Sequence, residues 1–570
     1  MKTPYNRIIK KQCERNSAGT IHAFLRPNED NGTAAGSSHE KKNSAILPAD
    51  KPALQAKLAL VSDSRVHVAP SNKTLAVLLA KLPGSVYDIK NNAWTFDIAH
   101  YEAVAAALSQ NKVAFEKIPG GTLALARRRI PQEQFSLEGG IYTRLIGFQK
   151  DAVAFALNRN GRVLLADDMG LGKTIQAIAI AHYYRMEWPL LVIAPASLLA
   201  SWVDAISDFL GEDASMVLRA TDFGDRISVI SYDLAVKHLE IIKMNDYSVI
   251  VCDECHHLKQ ITSKRTIGLL PVLQKASRII MISGTPAESR PLELYPILCA
   301  LDKSLYPFFT VYGNRYCGGK KIGDFYDYRG CTNAEELAIV MEKAFMVRRL
   351  KASVLGELPK KLRHQTLLDV PVQVSTTEEE SSAMKEFANA AASKVGPVVE
   401  YLRGMVSRDT KTVVFAHHQV MLDGIEQFCR DAGVVYVRVD GTTPRPRRHA
   451  AVRSFQESDA VRMAILSIKA CGTGLTLTAG KAAVFAELFW NPGTLLQAED
   501  RIHRIGQKDD VEIHYLIGRG TIDEQVWPHV MKKMAVLESL GIGNDDFDCL
   551  QDSAGGKQTR MDSFVLRNAK

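Results

Sequence analysis

The 570-residue sequence has no uninterrupted apolar run near the roughly 18 residues that a membrane-spanning helix needs, and its polar N-terminus lacks a hydrophobic signal core. Neither a membrane nor a secretory class is expected. Cysteine is scarce: nine are spread from Cys13 to Cys549, an odd number without the density of a disulfide scaffold, so buried thiols in a reducing compartment are the simpler expectation. Cys252-Asp253-Glu254-Cys255-His256 formally matches haem attachment or half a zinc ligand set, but no partner pair of suitable spacing exists elsewhere. These cysteines read as packing residues at the end of a buried strand. The absence of a short-period repeat argues against solenoids and propellers. Neither sign of charge dominates, since 71 Lys and Arg against 63 Asp and Glu give +8, which permits a polyanionic partner without demanding one.

What is present is an ordinary globular composition, 46% hydrophobic and 24% charged, in a chain long enough for roughly three or four folding units. Residues 1–50 have almost no apolar periodicity and are expected to be a disordered tail. Residues 55–125 change character, with a helical stripe (Leu75, Leu78, Leu79, Leu82), a Pro83-Gly84 turn and short strands around Val86-Tyr87-Asp88 and Trp94-Thr95-Phe96. They read as a small α+β module in which Trp94 is a core anchor. Beyond Arg127-Arg128-Arg129, apolar strands alternate with helical stretches, the sign of parallel sheets covered on both faces. The first series comprises strands at 163–166, 190–194, 248–252 and 279–283, and the second strands at 412–416, 435–439, 463–467, 482–486 and 512–517. Two α/β lobes in tandem follow, over 135–375 and 376–545, with a second disordered tail at 546–570.

Asp167-Asp168-Met169-Gly170-Leu171-Gly172-Lys173-Thr174 lies between a strand and a helix, where a phosphate loop belongs. Gly170 and Gly172 let backbone N–H groups turn toward phosphate oxygens, Lys173 supplies a point charge, and the Thr174 hydroxyl suits Mg²⁺. Asp167 stands where the full GxxxxGK[ST] pattern has its first glycine, and alone the short loop is compatible with a simple strand-to-helix turn. The strand Ser248–Cys252 then delivers Asp253 and Glu254 at its carboxyl end, where open α/β sheets place ligands. Phosphoanhydride hydrolysis needs one carboxylate for the hydrated cation and one to orient and deprotonate water, roles that fall to Asp253 and Glu254 respectively. Arg501 and Arg504 sit one helical turn apart in the second lobe, either as surface charges or as the pair that stabilises charge on a transferring phosphoryl group once the lobes close.

With these motifs and Gly147-Phe148-Gln149-Lys150, Asp253-Glu254-Cys255-His256, Ser283-Gly284-Thr285-Pro286, Arg438-Val439-Asp440-Gly441 and the Gln497–Gln507 run in order, the stretch 141–541 resembles the Swi/Snf-type helicase-like ATPases of helicase superfamily two. The resemblance implies two RecA-like lobes, ATP and Mg²⁺ as cofactors, adenine recognition by Gln149, and nucleotide contacts from Asp168, Met169, Gly170, Leu171, Gly172, Lys173 and Thr174. It implies coupling between lobes through Ser283, Gly284, Thr285 and Gln497, and completion of the site by Arg501 and Arg504. The stretch 485–493, with Arg519-Gly520-Thr521 and Trp527-Pro528, is most similar to the annealing-helicase branch. Residues around Tyr87-Asp88, Trp94-Thr95-Phe96-Asp97 and Tyr101 are similar to the HARP-type module that recognises forked DNA there.

The implied function is an ATP-dependent double-stranded DNA translocase that rewinds strands at forked or branched DNA, in replication stress and repair. Ser197, Ser231, Gly472, Thr473, Gly474 and Thr476 are the expected contacts to the sugar-phosphate chain, or else loop and cap residues. Arg348-Arg349, Lys360-Lys361 and Arg445-Pro446-Arg447-Arg448 are basic clusters that either add salt-dependent affinity or form solvated faces. Lys469 and Cys471 depart from the small or polar residues common before Gly472. The tail run Gln558 to Val565, with Gln558, Met561 and Phe564, is similar to a sliding-clamp-binding box. A monomer in the nucleus is expected, the location following from the substrate rather than from a targeting stretch. The rivals are a strand-separating helicase and a non-enzymatic fork-docking protein.

Overall fold

A computed structural model describes residues 55–224, 226–354, 359–371, 383–408, 410–468, 475–504, 506–543 and 550–552. Both tails with the clamp-like box, together with Lys469, Cys471, Gly472, Thr473 and Gly474, lie outside the described residues, apart from one strand at 550–552. Among the described residues no helix is long and apolar enough to cross a membrane. The chain divides into two units, the first formed by 1–128 and 302–340, the second by 129–301 and 341–570.

In the first unit, strands alternate buried and exposed residues, so one face is apolar. Ala56, Leu58 and Leu60 of Gln55–Leu60, with Val66 and Val68 of Arg65–Ala69, point into one core. Five strands run in the order Val86–Asp88, Ala93–Asp97, Arg65–Ala69, Gln55–Leu60, Ala114–Glu116, antiparallel except for the last pair. Helix Tyr101–Gln110 covers that face with Tyr101, Val104, Ala105 and Leu108, one helical stripe. Helix Lys73–Leu79 is capped by Asn72, whose Oδ1 accepts from Leu75 N at 3.0 Å. Trp94 is a margin residue rather than a core anchor. It is half-buried, donates from Nε1 to Ser71 Oγ at 3.0 Å and leans on Tyr87 with ring centroids 5.2 Å apart.

The segment 302–340, expected to belong to the first α/β lobe, joins this module instead. A buried ion pair fastens it. Arg315 donates from Nε and Nη2 to Glu336 at 2.9 and 2.7 Å, and from Nη2 to Leu58 O at 2.6 Å. Glu336 also accepts from Leu60 N at 3.0 Å and Tyr316 OH at 2.9 Å, so its lone pairs are filled. That saturation offsets the desolvation cost of burying two charges.

The second unit holds two all-parallel seven-stranded sheets, each RecA-like. The front sheet runs Met346–Val347, Arg162–Leu165, Arg278–Ile282, Val249–Asp253, Leu190–Ala194, Ile227–Ser231, Ser215–Val217. The rear sheet runs Tyr436–Val439, Met463–Ser467, Thr412–Ala416, Ala482–Phe485, Val511–Gly518, Lys361–Leu368, Leu550–Asp552. Strands covered on both faces read as continuous apolar runs: in Thr412–Ala416, Val413 and Phe415 enter one core while Val414 and Ala416 enter another. Each such buried aliphatic side chain contributes about 1.5–3 kcal/mol.

Two boundaries differ from expectation. Lys361–Leu368 falls within the stretch assigned to the front lobe, yet pairs along its length with Val511–Gly518 of the rear sheet. Leu550–Asp552, expected to be tail, pairs with Lys361–Leu368 in turn. Lys361–Leu368 escapes a hydrophobic-pattern reading because it buries Arg363, which grips Glu499 through two hydrogen bonds of 2.9 and 2.7 Å.

Candidate active site

The loop after Arg162–Leu165 closes on Gly172, the N-cap of helix Lys173–Tyr183. Gly170 and Gly172 both have positive φ, +89° and +77°, a conformation that favours glycine. A Cβ at Gly172 would come within 2.4 Å of Gln149 Nε2, and one at Gly170 within 2.9 Å of Arg504 Cγ. Gln149 thus lies against the loop, its Nε2 donating to Leu171 O at 3.1 Å and its Oε1 accepting from Ile146 N at 3.2 Å. Lys173 Nζ donates to Asp167 O at 2.7 Å and Asp168 O at 3.1 Å, and burial holds its pKa below the ordinary lysine value. Thr174 follows in the first helical turn.

Asp167, the residue that breaks the longer loop pattern, is fully buried and gripped by Arg349 through two hydrogen bonds of 3.0 and 2.8 Å, with Gln176 Nε2 at 3.1 Å. Its neighbour Arg348 donates to Ala166 O, Gly284 O and Gly543 O. The Arg348-Arg349 cluster is therefore neither a DNA-binding patch nor a solvated face: it braces the phosphate loop. Lys361 is likewise buried, donating to Glu499 Oε2 at 3.1 Å.

Asp253 ends the central strand of the front sheet. Its Oδ2 accepts from Trp202 Nε1 at 2.8 Å and its Oδ1 from Glu254 N at 2.9 Å, while Tyr232 OH donates to its carbonyl at 2.8 Å. Burial, then the adjacent Glu254 charge, push its pKa up. Glu254 moves the other way: burial opposes its charge, but His256, with Nδ1 3.3 Å from Oε2, and then Lys173 and Arg501 hold it below the usual carboxylate range. One acid is thus kept ionised beside another that resists ionisation. Glu254 adopts φ +47°, a left-handed conformation that strains a non-glycine residue.

Ser283, Gly284 and Thr285 line the same cleft. Ser283 Oγ is 3.2 Å from His256 Nδ1, and a Cβ at Gly284 would touch Met169 Cγ at 2.8 Å and approach Lys173 Nζ at 3.6 Å. Gln497 Nε2 reaches Thr285 Oγ1 from the rear lobe at 3.4 Å. Arg501 is 8% exposed and its Nε makes no hydrogen bond. Arg504 packs on Gly170 and donates from Nη1 to Thr476 Oγ1 at 3.3 Å. Burial, then the Arg501 charge, lower its pKa. Both guanidinium groups therefore lie in the cleft rather than on an outer surface.

The expected DNA contacts fare differently. Ser231 Oγ accepts from Leu234 N at 3.3 Å as the cap of helix Tyr232–Lys237 and is buried. Thr476 is engaged with Arg504 at the nucleotide cleft. Ser197 is half-buried in the turn after Leu190–Ala194. Cys252 and Cys255 are buried in the front lobe, and burial pushes the Cys252 thiol up to about 12. The sequence reading missed Trp202, Arg349 and Lys351. Lys351 Nζ donates to Asp500 Oδ1 at 2.8 Å and His503 O at 2.7 Å across the two lobes.

The SNF2-related domain model matches residues 148–398 and the helicase conserved C-terminal domain model matches 393–506. The SWI/SNF-related matrix-associated actin-dependent regulator of chromatin subfamily A-like protein 1 homolog of Caenorhabditis elegans is 35% identical, over 87% of this chain and 78% of that protein. The chain belongs to the SNF2-related helicase-like ATPase family. The Xenopus tropicalis protein of the same subfamily name is 37% identical over 87% of this chain, and the mouse DNA annealing helicase and endonuclease ZRANB3 is 39% identical over 70%. The chain spans only 56% and 41% of the length of these two relatives.

Family membership makes ATP the nucleotide for this cleft, and the residues fit it. Only glycines fit the loop between the Gln149 and Arg504 side chains, Arg501 Nε makes no hydrogen bond, and Asp253 and Glu254 offer the hard oxygen donors a divalent cation takes.

Proposed function

We propose that the chain is a DNA-dependent ATPase that tracks along duplex DNA at forked or branched sites and rewinds separated strands. The observation that carries this reading is the seating of Arg501 and Arg504, from the rear lobe, beside Gly170 and the Glu254 charge of the front lobe. The annealing-helicase relative and the small N-terminal α+β module, which we read as a HARP-like fork-recognition module, support the rewinding part.

In this reading Gln149 contacts adenine, the loop from Asp168 to Thr174 holds the phosphates, and Thr174 with Asp253 would hold Mg²⁺. The cation neutralises charge on the phosphate oxygens when bound. Glu254, held ionised, takes the proton of the attacking water. Trp202 fixes the Asp253 carboxylate by donating to Oδ2. Arg501 and Arg504 stabilise the charge spread over the transferring phosphoryl oxygens, which requires the lobes together and so ties turnover to their motion. Ser283, Gly284, Thr285 and Gln497 pass that motion between lobes.

We also assign Ser197, Ser231, Gly472, Thr473, Gly474 and Thr476 to contact with the sugar-phosphate chain, the box at Gln558, Met561 and Phe564 to the sliding clamp, and a monomeric protein to the nucleus. ATP turnover measured with forked, linear duplex and single-stranded DNA is the test. Fork-stimulated turnover abolished by Lys173→Ala and by Glu254→Gln is expected. Turnover that ignores DNA would overturn the motor, and net strand separation on a tailed duplex would replace rewinding with unwinding.

A further inference from the structure

Lys320–Ile322 and Phe325–Asp327 of the first unit form a two-stranded antiparallel ribbon that joins no larger sheet. Ile322 pairs with Phe325, and Lys321 with Tyr326. The two-residue loop between them begins with Gly323 at φ +60°, as a type II′ hairpin turn requires. Such a ribbon is marginal alone in water, and apolar side chains on it would ordinarily be covered. Here Phe325 is 70% exposed, Ile322 60% and Tyr326 56%.

The base of the ribbon is built to stay rigid. The Tyr328 ring stands edge-on to Phe309 at 4.9 Å and parallel to Tyr326 at 5.9 Å, so the exposed ring continues a column that starts in packed structure. A Cβ at Gly313 or Gly319 would lie 2.7 or 2.6 Å from the Tyr328 ring, so two glycines make its seat. Immediately beyond, Thr332 Oγ1 and Asn333 Nδ2 both donate to Arg315 O at 2.8 Å, fastening the ribbon's exit to the residue of the buried ion pair. The tip carries both signs, with Asp324 exposed in the turn. Asp327 is held by Arg329 at 2.9 Å, while Lys320 and Lys321 are exposed beside the apolar tip.

Flat exposed rings on a stiff support, interleaved with lysines, match the chemistry of unpaired nucleic acid, whose bases offer apolar faces and whose backbone offers regularly spaced anions. We propose that this ribbon is a stacking element for unpaired bases at a DNA branch, with Phe325 and Tyr326, which successive strand positions set on opposite faces, each taking a base face and Lys320 and Lys321 the neighbouring phosphates. It rests on the DNA-motor reading and adds to it a place where open bases, rather than duplex backbone, are sensed. An apolar protein partner is the competing occupant, and the lysines favour the nucleic acid.

The test uses the full chain with a fluorescent fork bearing two unpaired arms and a blunt duplex of equal length. The Phe325→Ala/Tyr326→Ala pair is expected to weaken fork binding about tenfold and duplex binding less than twofold, and Phe325→Trp/Tyr326→Trp to restore the fork. A 2-aminopurine at the branch should be quenched by the wild type and not by the alanine pair. Should the alanine pair misfold, the single Phe325→Ser variant carries the same comparison. Equal loss on fork and duplex, wild-type affinity in the alanine pair, or an effect confined to Lys320→Ala/Lys321→Ala would each overturn the stacking element. Failure of the motor reading is separately visible as wild-type turnover that no DNA stimulates.

Discussion

Two arginine–glutamate encounters in this chain use the same groups to opposite ends. Glu336 accepts from Arg315, Leu60 N and Tyr316 OH, so its carboxylate is filled, while Arg315 Nη1 makes no hydrogen bond and lies 3.4 Å from Glu116. Arg501 lies in the field of Glu254 yet keeps its Nε without a hydrogen bond, and Glu254 sits in a strained left-handed turn. A buried carboxylate whose lone pairs are filled fixes structure, whereas a carboxylate that meets its arginine without a hydrogen bond, on strained backbone, is suited to a ligand.

The comparison is broken most directly by removing each arginine. Arg501→Ala should lower kcat by about 10²–10³-fold with little change in thermal midpoint, as expected for a group that acts only on transition-state charge. Arg315→Met should do the reverse: it leaves Glu336 buried and unpaired, costs about 3–5 kcal/mol in denaturant unfolding of the first unit, and leaves the chemistry of the nucleotide cleft alone. If both variants lost stability alike, the distinction between the two clusters would fail.

Smaller changes sharpen it. Trp202→Phe deletes the donor to Asp253 Oδ2, so the Asp253 carboxyl should become harder to ionise. The acid limb of the kcat–pH profile then moves to higher pH, with a loss of about tenfold near neutrality. The weakest effect concerns His257, whose pKa burial, then His256 and Arg265, lower to about 4. A histidine depressed in the folded state binds protons better when unfolded, so its contribution is complete above about pH 6.5 and is lost as the pH falls toward 4. Unfolding midpoints should drop over that window, and His257→Phe should flatten the slope.

The segments of the candidate cleft could be placed because they follow strands that read as continuous apolar runs. That rule placed Lys173, after the loop that follows Arg162–Leu165, and Asp253, at the end of Val249–Asp253, whereas Arg504 was read from its spacing to Arg501. What escaped was held by distant partners. Arg348, Arg349 and Lys361 read as surface charge because nothing local shows that Asp167 and Glu499 are buried opposite them. That the segment 302–340 packs with the first unit leaves no periodic trace in the sequence, because Arg315 meets Leu58 across 257 positions. Lys361–Leu368 was not identified as a strand because a buried Arg363 mimics a solvent-facing residue.

Lys351 follows directly on the arginines that brace the phosphate loop, its own N–H donates to Asp168, and its ammonium is anchored to Asp500 and His503 of the opposite lobe. Swinging the rear lobe away must therefore either snap that ammonium's anchorage or tug on the loop proposed to hold the triphosphate. One lysine makes the connector a mechanical trip-wire, so product escape and lobe opening need not be separate events.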